Sequence, residues 1–141
     1  MEQMFFACLK ITSLNLSHFN LENAVSIYSM FGACDNLESI DLFYNTQNIN
    51  NMSGLFSNCY SLTSIDLSKF NTSNVIKMDH MFSSCIKLTS IDLSNFNTGK
   101  LSTLSNMFIY CKNLRYLDFS SFKGRYYYYF NLFENGSISF K

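Results

Sequence analysis

Five cysteines recur along the 141-residue chain at an almost constant interval. They stand 26, 25, 26 and 26 residues apart, with a phenylalanine three residues before each and an aliphatic residue three residues after it. The cysteine column is Cys8, Cys34, Cys59, Cys85 and Cys111, and the phenylalanine column is Phe5, Phe31, Phe56, Phe82 and Phe108. Such a period indicates stacked copies of one unit, each of which buries its face against the same residues of its neighbours.

Each unit combines a strand pattern with a pattern of helical period. The L-x-x-I-x-L spacing that begins at Leu88 alternates apolar and polar residues, which predicts a strand with one buried face. The apolar interval of three or four residues that begins at Leu101 predicts a short helix or turn. We expect one domain over 1–141, with repeats at about 4–29, 30–54, 55–80, 81–106 and 107–131 and a partial repeat or cap at 132–141.

These units resemble the BspA-like leucine-rich repeats, whose pattern is M-F-x-x-C-x-x-L-x-x-[IL]-D-L-S-x-F-N-T-S-x-V-x-x-M. The segment 55–80 matches this pattern nearly throughout, and the similarity covers about residues 4 to 133. The expected fold is an α/β leucine-rich repeat solenoid of right hand, with five parallel strands on the concave side and short helices or turns on the convex side. Repeat two departs by one deleted residue near Phe43, and repeat five departs by a tyrosine run.

The resemblance also implies a function, namely a non-enzymatic protein-binding or adhesion module of a surface protein. Its partners would be host matrix or cell-surface proteins. The alternatives are a structural or assembly segment that stacks on further repeats, and an intracellular scaffold. The resemblance implies a cell-surface or secreted protein, yet Met1–Cys8 lacks the basic and apolar regions of a signal peptide, so the other expectation is a cytoplasmic location.

Charge and hydropathy exclude two classes of partner. The formal net charge is zero, which argues against binding to nucleic acid or to an anionic membrane surface. No apolar run approaches the roughly 18–20 residues that span a bilayer. We therefore expect a soluble protein that inserts into no membrane and binds no nucleic acid.

Catalytic and metal-binding motifs are missing from the sequence. His18 and His80 occupy different positions of their repeats, and neither a Gly-rich phosphate loop nor a nucleophile elbow occurs. The cysteines lack the close pairs that bind zinc, and stacked equivalents have parallel Cβ vectors that do not suit disulfides. We expect no enzyme, no cofactor and no metal, and five buried, reduced thiols.

The outward strand positions carry the candidate binding residues. They are Asp41, Asp66, Asp92 and Asp118, with Ser64 and Ser90 beside them. Parallel strands lie roughly 4.8 Å apart, where two carboxylates repel by about 1 kcal/mol in water. One interpretation is that serine hydroxyls, backbone N–H groups and water solvate the carboxylates as part of the fold. The other is an acidic groove for a basic peptide, a divalent cation or a sugar.

The tyrosine run of repeat five suggests a second interaction surface. Counted from the repeat columns, Tyr126 and Tyr129 point inward, while Tyr127, Tyr128 and Phe130 form an exposed aromatic patch. Poorly capped repeat ends also favour self-association. The sequence does not identify the ligand.

Overall fold

A computed structural model describes residues 1–122 and the short strand Ser139–Phe140. The strands are β1 (Ser13–Asn15), β2 (Ser39–Asp41), β3 (Ser90–Asp92), β4 (Tyr116–Asp118) and β5 (Ser139–Phe140). All the pairs are parallel: β1 pairs with β2, while β3, β4 and β5 form a second sheet in that order. Leu14 lies opposite Ile40 and Ile91 opposite Leu117, so the strand columns expected from the sequence are in register.

The expected sheet of five consecutive strands is interrupted at repeat three. The segment 64–66 forms no strand, and the fifth strand is β5 from the partial repeat. A parallel ladder needs two backbones at constant spacing over consecutive residues. Repeat two has lost one residue directly after β2, and the gap in the sheet lies beside that shortened repeat.

The connections between strands are turns, and residues 1–122 contain no helix. Of the two alternatives expected, short helices or turns, the structure has turns, and the hydrogen bonds explain why. The N–H groups of Ser29 and Phe31 each bind a carbonyl of the next repeat, while those of Met30 and Gly32 bind carbonyls three residues earlier. Alternation between a neighbouring repeat and a local turn leaves no continuous i to i−4 series, which an α-helix requires.

Two backbone positions in each repeat have positive φ, which also prevents helix. The first position comprises Gln3, Ser29, Gly54, His80 and Asn106, and the second comprises Ala7, Ala33, Asn58, Ser84 and Tyr110. Left-handed residues of this kind end a right-handed helical turn. The chain reverses at both positions, and isolated parallel bridges join Ser26, Asn51, Lys77 and Thr103 of successive repeats. The right-handed winding and the concave curvature stay predictions.

The core consists of stacked, equivalent side chains. Phe31, Phe56, Phe82 and Phe108 are fully buried, and their successive ring centroids are 5.3, 5.7 and 5.6 Å apart with nearly parallel planes. Phe5 is half-buried and stacks on Phe31 at 5.6 Å. The stack joins every described repeat to the next, as the phenylalanine column predicts.

Phe43 keeps its place in the core despite the deletion of one residue in repeat two. This side chain is 1% exposed and stacks on Phe70 at 5.7 Å, so it fills the core position that Phe96 and Phe122 occupy in later repeats. Tyr44, which follows it, is exposed. The shorter loop therefore keeps its core residue and loses only a surface position.

Candidate functional site

The candidate surface comprises the outward residues of the strand positions, which we call the strand face. Its described members are Ser13, Asn15, Ser39, Asp41, Ser64, Asp66, Ser90, Asp92, Tyr116 and Asp118. Asp92 lies opposite Asp118 in the β3–β4 ladder, whereas Asp41 lies opposite Asn15 in the β1–β2 ladder. Asp66 lies outside the strands. The structure thus brings two of the four predicted aspartates together by strand pairing, and Ser90 lies opposite Tyr116.

Three of the aspartates cap the turn that follows their strand position. Oδ1 of Asp66, Asp92 and Asp118 accepts the backbone N–H of Ser68, Ser94 and Ser120 at 2.9, 2.8 and 2.9 Å. Asn15 accepts the N–H of Ser17 at 3.0 Å in the same way. This side-chain to backbone bond is an Asx turn, which replaces a backbone turn bond. The aspartates therefore have a role in the fold, as the first of the two interpretations expects.

Asp41 departs from this pattern. The residue two positions later is the buried Phe43 in place of a serine, and the Asp41 carboxylate accepts no hydrogen bond from the described residues. Asp41 is exposed and no ion pair joins it to another described residue. The deletion in repeat two thus leaves this carboxylate to solvent or to a partner.

The hydrogen bonds affect the ionisation of the strand face. Bonds from the Ser68 hydroxyl and backbone N–H lower the pKa of Asp66 below its usual value, and Lys69 adds a smaller contribution of the same sign. Because the carboxylate form is favoured, Asp66 is charged at neutral pH. Any stability that this carboxylate adds is present above the unfolded-state pKa and is lost as the pH falls through the lower folded value.

The other predicted patch, made of Tyr127, Tyr128 and Phe130, lies outside the described residues, as do the inward positions assigned to Tyr126 and Tyr129.

The cysteines form a ladder of hydrogen-bonded thiols. The Sγ atoms of Cys34, Cys59, Cys85 and Cys111 donate to the phenylalanine carbonyl of the preceding repeat at 3.0 to 3.2 Å. None of the five cysteines is in a disulfide, and all but Cys8 are buried. Cys8 is half-buried, which corrects the expectation that all five are buried. Among the described repeats only repeat two packs against repeat one, so the cysteine of repeat one is covered less.

Burial makes these thiols poor nucleophiles. Desolvation raises the pKa of Cys34, Cys59 and Cys85, and it raises the pKa of Cys111 to about 12. The thiolate is the reactive form, and it is scarce at neutral pH when the pKa is raised. The ladder is therefore suited to packing.

We expect a thiol reagent such as Ellman's reagent to label at most Cys8 rapidly in the native protein, and all five cysteines after denaturation. Absorbance at the end of the fast phase counts the labelled thiols. Rapid reaction of three or more without denaturant would contradict the buried ladder.

No other group in the described residues points to catalysis or metal binding. His18 and His80 are both exposed, and they lie in different turns. In residues 1–122 no cluster of three or more His, Cys, Asp or Glu side chains is placed to hold a metal ion. The same part of the chain contains no helix long and apolar enough to cross a membrane.

The sequence pattern did not reveal a buried threonine ladder. Oγ1 of Thr46 accepts the N–H of Asn71 and donates to its carbonyl, and Thr72 does the same with Asn97. Both threonines are at most 2% exposed. The Asn-Thr pair that recurs at 45–46 and 71–72 is the sequence signal that marks them.

A search of solved structures shows that the fold is similar to that of a known repeat protein. The crystal structure of the T. pallidum leucine-rich repeat protein TpLRR matches with a TM-score of 0.53 at 21% sequence identity. The match covers 83% of this chain and 61% of that chain, so this chain spans about three fifths of the T. pallidum protein. No curated protein matches the sequence.

A family model matches most of the chain and gives its affiliation. The model is described as "Mycoplasma protein of unknown function, DUF285" and matches residues 1–43 and 35–130. Together with the leucine-rich repeat structure, this match confirms the resemblance drawn from the repeat motif. The chain belongs to the DUF285 family, a BspA-like leucine-rich repeat family.

Proposed function

We propose that the chain is a non-enzymatic interaction module of a surface or secreted protein, and that its strand face binds a basic segment of a partner protein. The observation that carries the proposal is the charge of this face. Asp66 and Asp92 are exposed, and no ion pair joins either of them to another described residue. Each uses Oδ1 to accept the N–H of its own turn, and a carboxylate has further lone pairs with which to accept from a partner.

The repeat arrangement supports this function. Equivalent side chains of successive repeats recur on one surface, so contacts that are weak singly add up when the partner is extended. Lysine and arginine side chains are the complementary groups, because a carboxylate with one occupied oxygen still accepts charge-assisted bonds. Binding should weaken as salt rises, because exposed charges are screened.

Asparagine substitutions separate the charge of the strand face from its role in the fold. Asn15 already caps its turn with an amide oxygen, so Asp66→Asn with Asp92→Asn should keep both turns and remove two charges. We expect this double variant to bind fluorescent octalysine at least tenfold more weakly, with a melting temperature within a few degrees of the parent. Fluorescence anisotropy at several salt concentrations measures the affinity.

The control carries the same change in charge on other surfaces. Glu22→Gln with Asp35→Asn should leave octalysine binding unchanged. If both double variants lose affinity equally, the attraction is general to the protein and the strand face is not the site. A further double variant, Asp66→Ala with Asp92→Ala, removes the capping oxygens as well. If it has a lower melting temperature while the asparagine variant and the control both bind octalysine as the parent does, the aspartates serve only the fold.

Exposed apolar side chains favour a second candidate function, assembly. Met4, Phe6 and Leu9 of repeat one are 47%, 48% and 50% exposed and lie close together in sequence. We expect the average mass from light scattering to rise with concentration, and to rise less for Met4→Gln with Phe6→Gln. Tyr44→Gln, at an exposed site elsewhere, is the control. A strictly monomeric parent would show that these side chains do not mediate assembly.

A further inference from the structure

A cleft of about 430 Å³ lies beside the isolated bridges, away from the strand face. Equivalent positions of three successive repeats form it: Tyr28 from repeat one, Ser53 and Gly54 from repeat two, and Asp79 and His80 from repeat three. Its volume falls within the roughly 300–1,000 Å³ that is usual for small-molecule sites. No residue of the strands lines it.

The cleft exists because repeat two has a glycine where its neighbours have side chains. Ser29, Gly54 and His80 are equivalent and have φ values of 47, 64 and 56°. A Cβ on Gly54 would lie 2.6 Å from Oγ of Ser29, so a side chain there would meet the neighbouring repeat. Bridged repeats are roughly 4.8 Å apart, which puts the backbones of repeats one and three about 10 Å apart. The glycine thus opens a slot one repeat wide.

A buried hydroxyl in the cleft has no partner. Ser53 is 8% exposed, and within the described residues its Oγ is neither donor nor acceptor of a hydrogen bond. A buried hydroxyl without a partner is unfavourable by about 1–3 kcal/mol. Ser53 lines the cleft, so a ligand there is placed to supply the missing hydrogen bond. Ser53 is therefore the strongest sign that the cleft accommodates a polar ligand.

Neighbouring polar groups are held in place while keeping some hydrogen-bonding capacity. Oδ1 of Asn51 accepts the N–H of Ser53 at 3.0 Å, and the Asn51 amide nitrogen donates to no described residue. The Asp79 carboxylate accepts from Thr103 and from Ser105 of the next repeat. Lys77 also lines the cleft and forms no ion pair with a described residue. One carboxylate and one ammonium leave the cleft without net charge, which favours a neutral ligand.

We infer that this cleft binds the pyranose ring of a neutral sugar residue in a glycan. A sugar offers many hydroxyls, which both donate and accept, and these match the Ser53 hydroxyl, the Asn51 amide and the Lys77 ammonium group. Its apolar C–H face suits the ring of Tyr28, which is 39% exposed at the edge of the cleft. A basic peptide, the ligand proposed for the strand face, suits this cleft less well. The cleft has one carboxylate to pair with the positive charges of the peptide, and that carboxylate, Asp79, already accepts two hydrogen bonds.

The inference is tested by incubating the purified full chain with a glycan array and detecting the spots to which the protein binds. The free form of each bound sugar is then titrated with the protein by ligand-observed NMR. We expect the protein to bind glycans that present neutral hexoses or N-acetylhexosamines. Tyr28→Ala should weaken their binding at least tenfold, while Tyr60→Ala should not, because Tyr60 is also 39% exposed but lies outside the cleft. The inference would be overturned if the parent protein bound no neutral glycan, or if the two tyrosine variants lost equal sugar affinity.

Ser53→Ala distinguishes a ligand-binding hydroxyl from a structural one. We expect about tenfold weaker sugar binding with an unchanged or higher melting temperature, since an unpartnered hydroxyl is removed. A lower melting temperature with unchanged sugar binding would make the hydroxyl structural and would overturn its role. Asp66→Asn with Asp92→Asn should retain full sugar binding, so this site and the proposed strand-face function can fail independently.

Discussion

Replacing Phe82 with alanine should lower the free energy of unfolding by about 3–5 kcal/mol. Phe82 is fully buried, and its ring lies 5.7 Å from that of Phe56 and 5.6 Å from that of Phe108. The truncation leaves a cavity and interrupts the stack between repeats three and five. Small domains are stable by only about 5–15 kcal/mol, so a large fraction of the total is at stake. Urea denaturation followed by circular dichroism measures the change.

Phe5→Ala is the matched control within the same column. Phe5 is half-buried and stacks on Phe31, so its truncation should be less than half as destabilising as that of Phe82. Equal losses at the two positions would show that neighbouring repeats do not stabilise one another through the stack.

Raising the pH from 7 to 10 should lower the free energy of unfolding by about 4 kcal/mol through the thiol ladder alone. Burial raises the pKa of Cys59, Cys85 and Cys111 above the ordinary value of 9.0. The folded state therefore retains protons that the unfolded state loses. The stabilisation is complete below pH 9 and is lost as the pH rises toward the folded values, by about 1.4 kcal/mol per thiol and pH unit.

Urea titrations of the parent and of Cys85→Ala at pH 7, 9 and 10 isolate the cysteine contribution. All other ionisable groups are the same in both proteins, so the difference between their two pH dependences belongs to Cys85. We expect the variant to be less stable at pH 7 but to lose less stability at pH 10. The same pH dependence in both proteins would rule out the thiol ladder as the source.

Much of the repeat architecture could be predicted from the sequence because equivalent residues perform the same task in each repeat. The buried phenylalanine and cysteine columns follow from a spacing that varies by one residue, whereas the hydrogen bonds of the thiols were not predicted. The choice between short helices and turns could not be made from the sequence, because apolar residues every three or four positions suit a series of turns as well as a helix. Which one forms depends on whether N–H groups bind locally or to the next repeat, and hydropathy carries no signal for that choice.

The candidate sites were predictable to different extents. The outward position of Asp66 and Asp92 follows from strand alternation, but their capping of the next turn depends on backbone geometry at Ser68 and Ser94. The cleft at Ser53 could not be predicted, because it requires three repeats to differ from one another at equivalent positions. A repeat pattern emphasises what the copies share, whereas this cleft arises from a glycine that the neighbouring copies lack.

The backbone N–H groups of the phenylalanine column donate to the following repeat and the cysteine thiols donate to the preceding one, and these opposite directions determine how the gene can gain or lose repeats. Phe56 donates its N–H to Met81 of the following repeat, while Cys59 donates its thiol hydrogen to Phe31 of the preceding one. The leading and trailing surfaces of a repeat are therefore complementary, so an extra copy inserted between two others would meet the surfaces that it already matches. Duplication or loss of a whole repeat lengthens or shortens the protein without demanding a new contact, whereas an insertion of any other length misaligns every column beyond it.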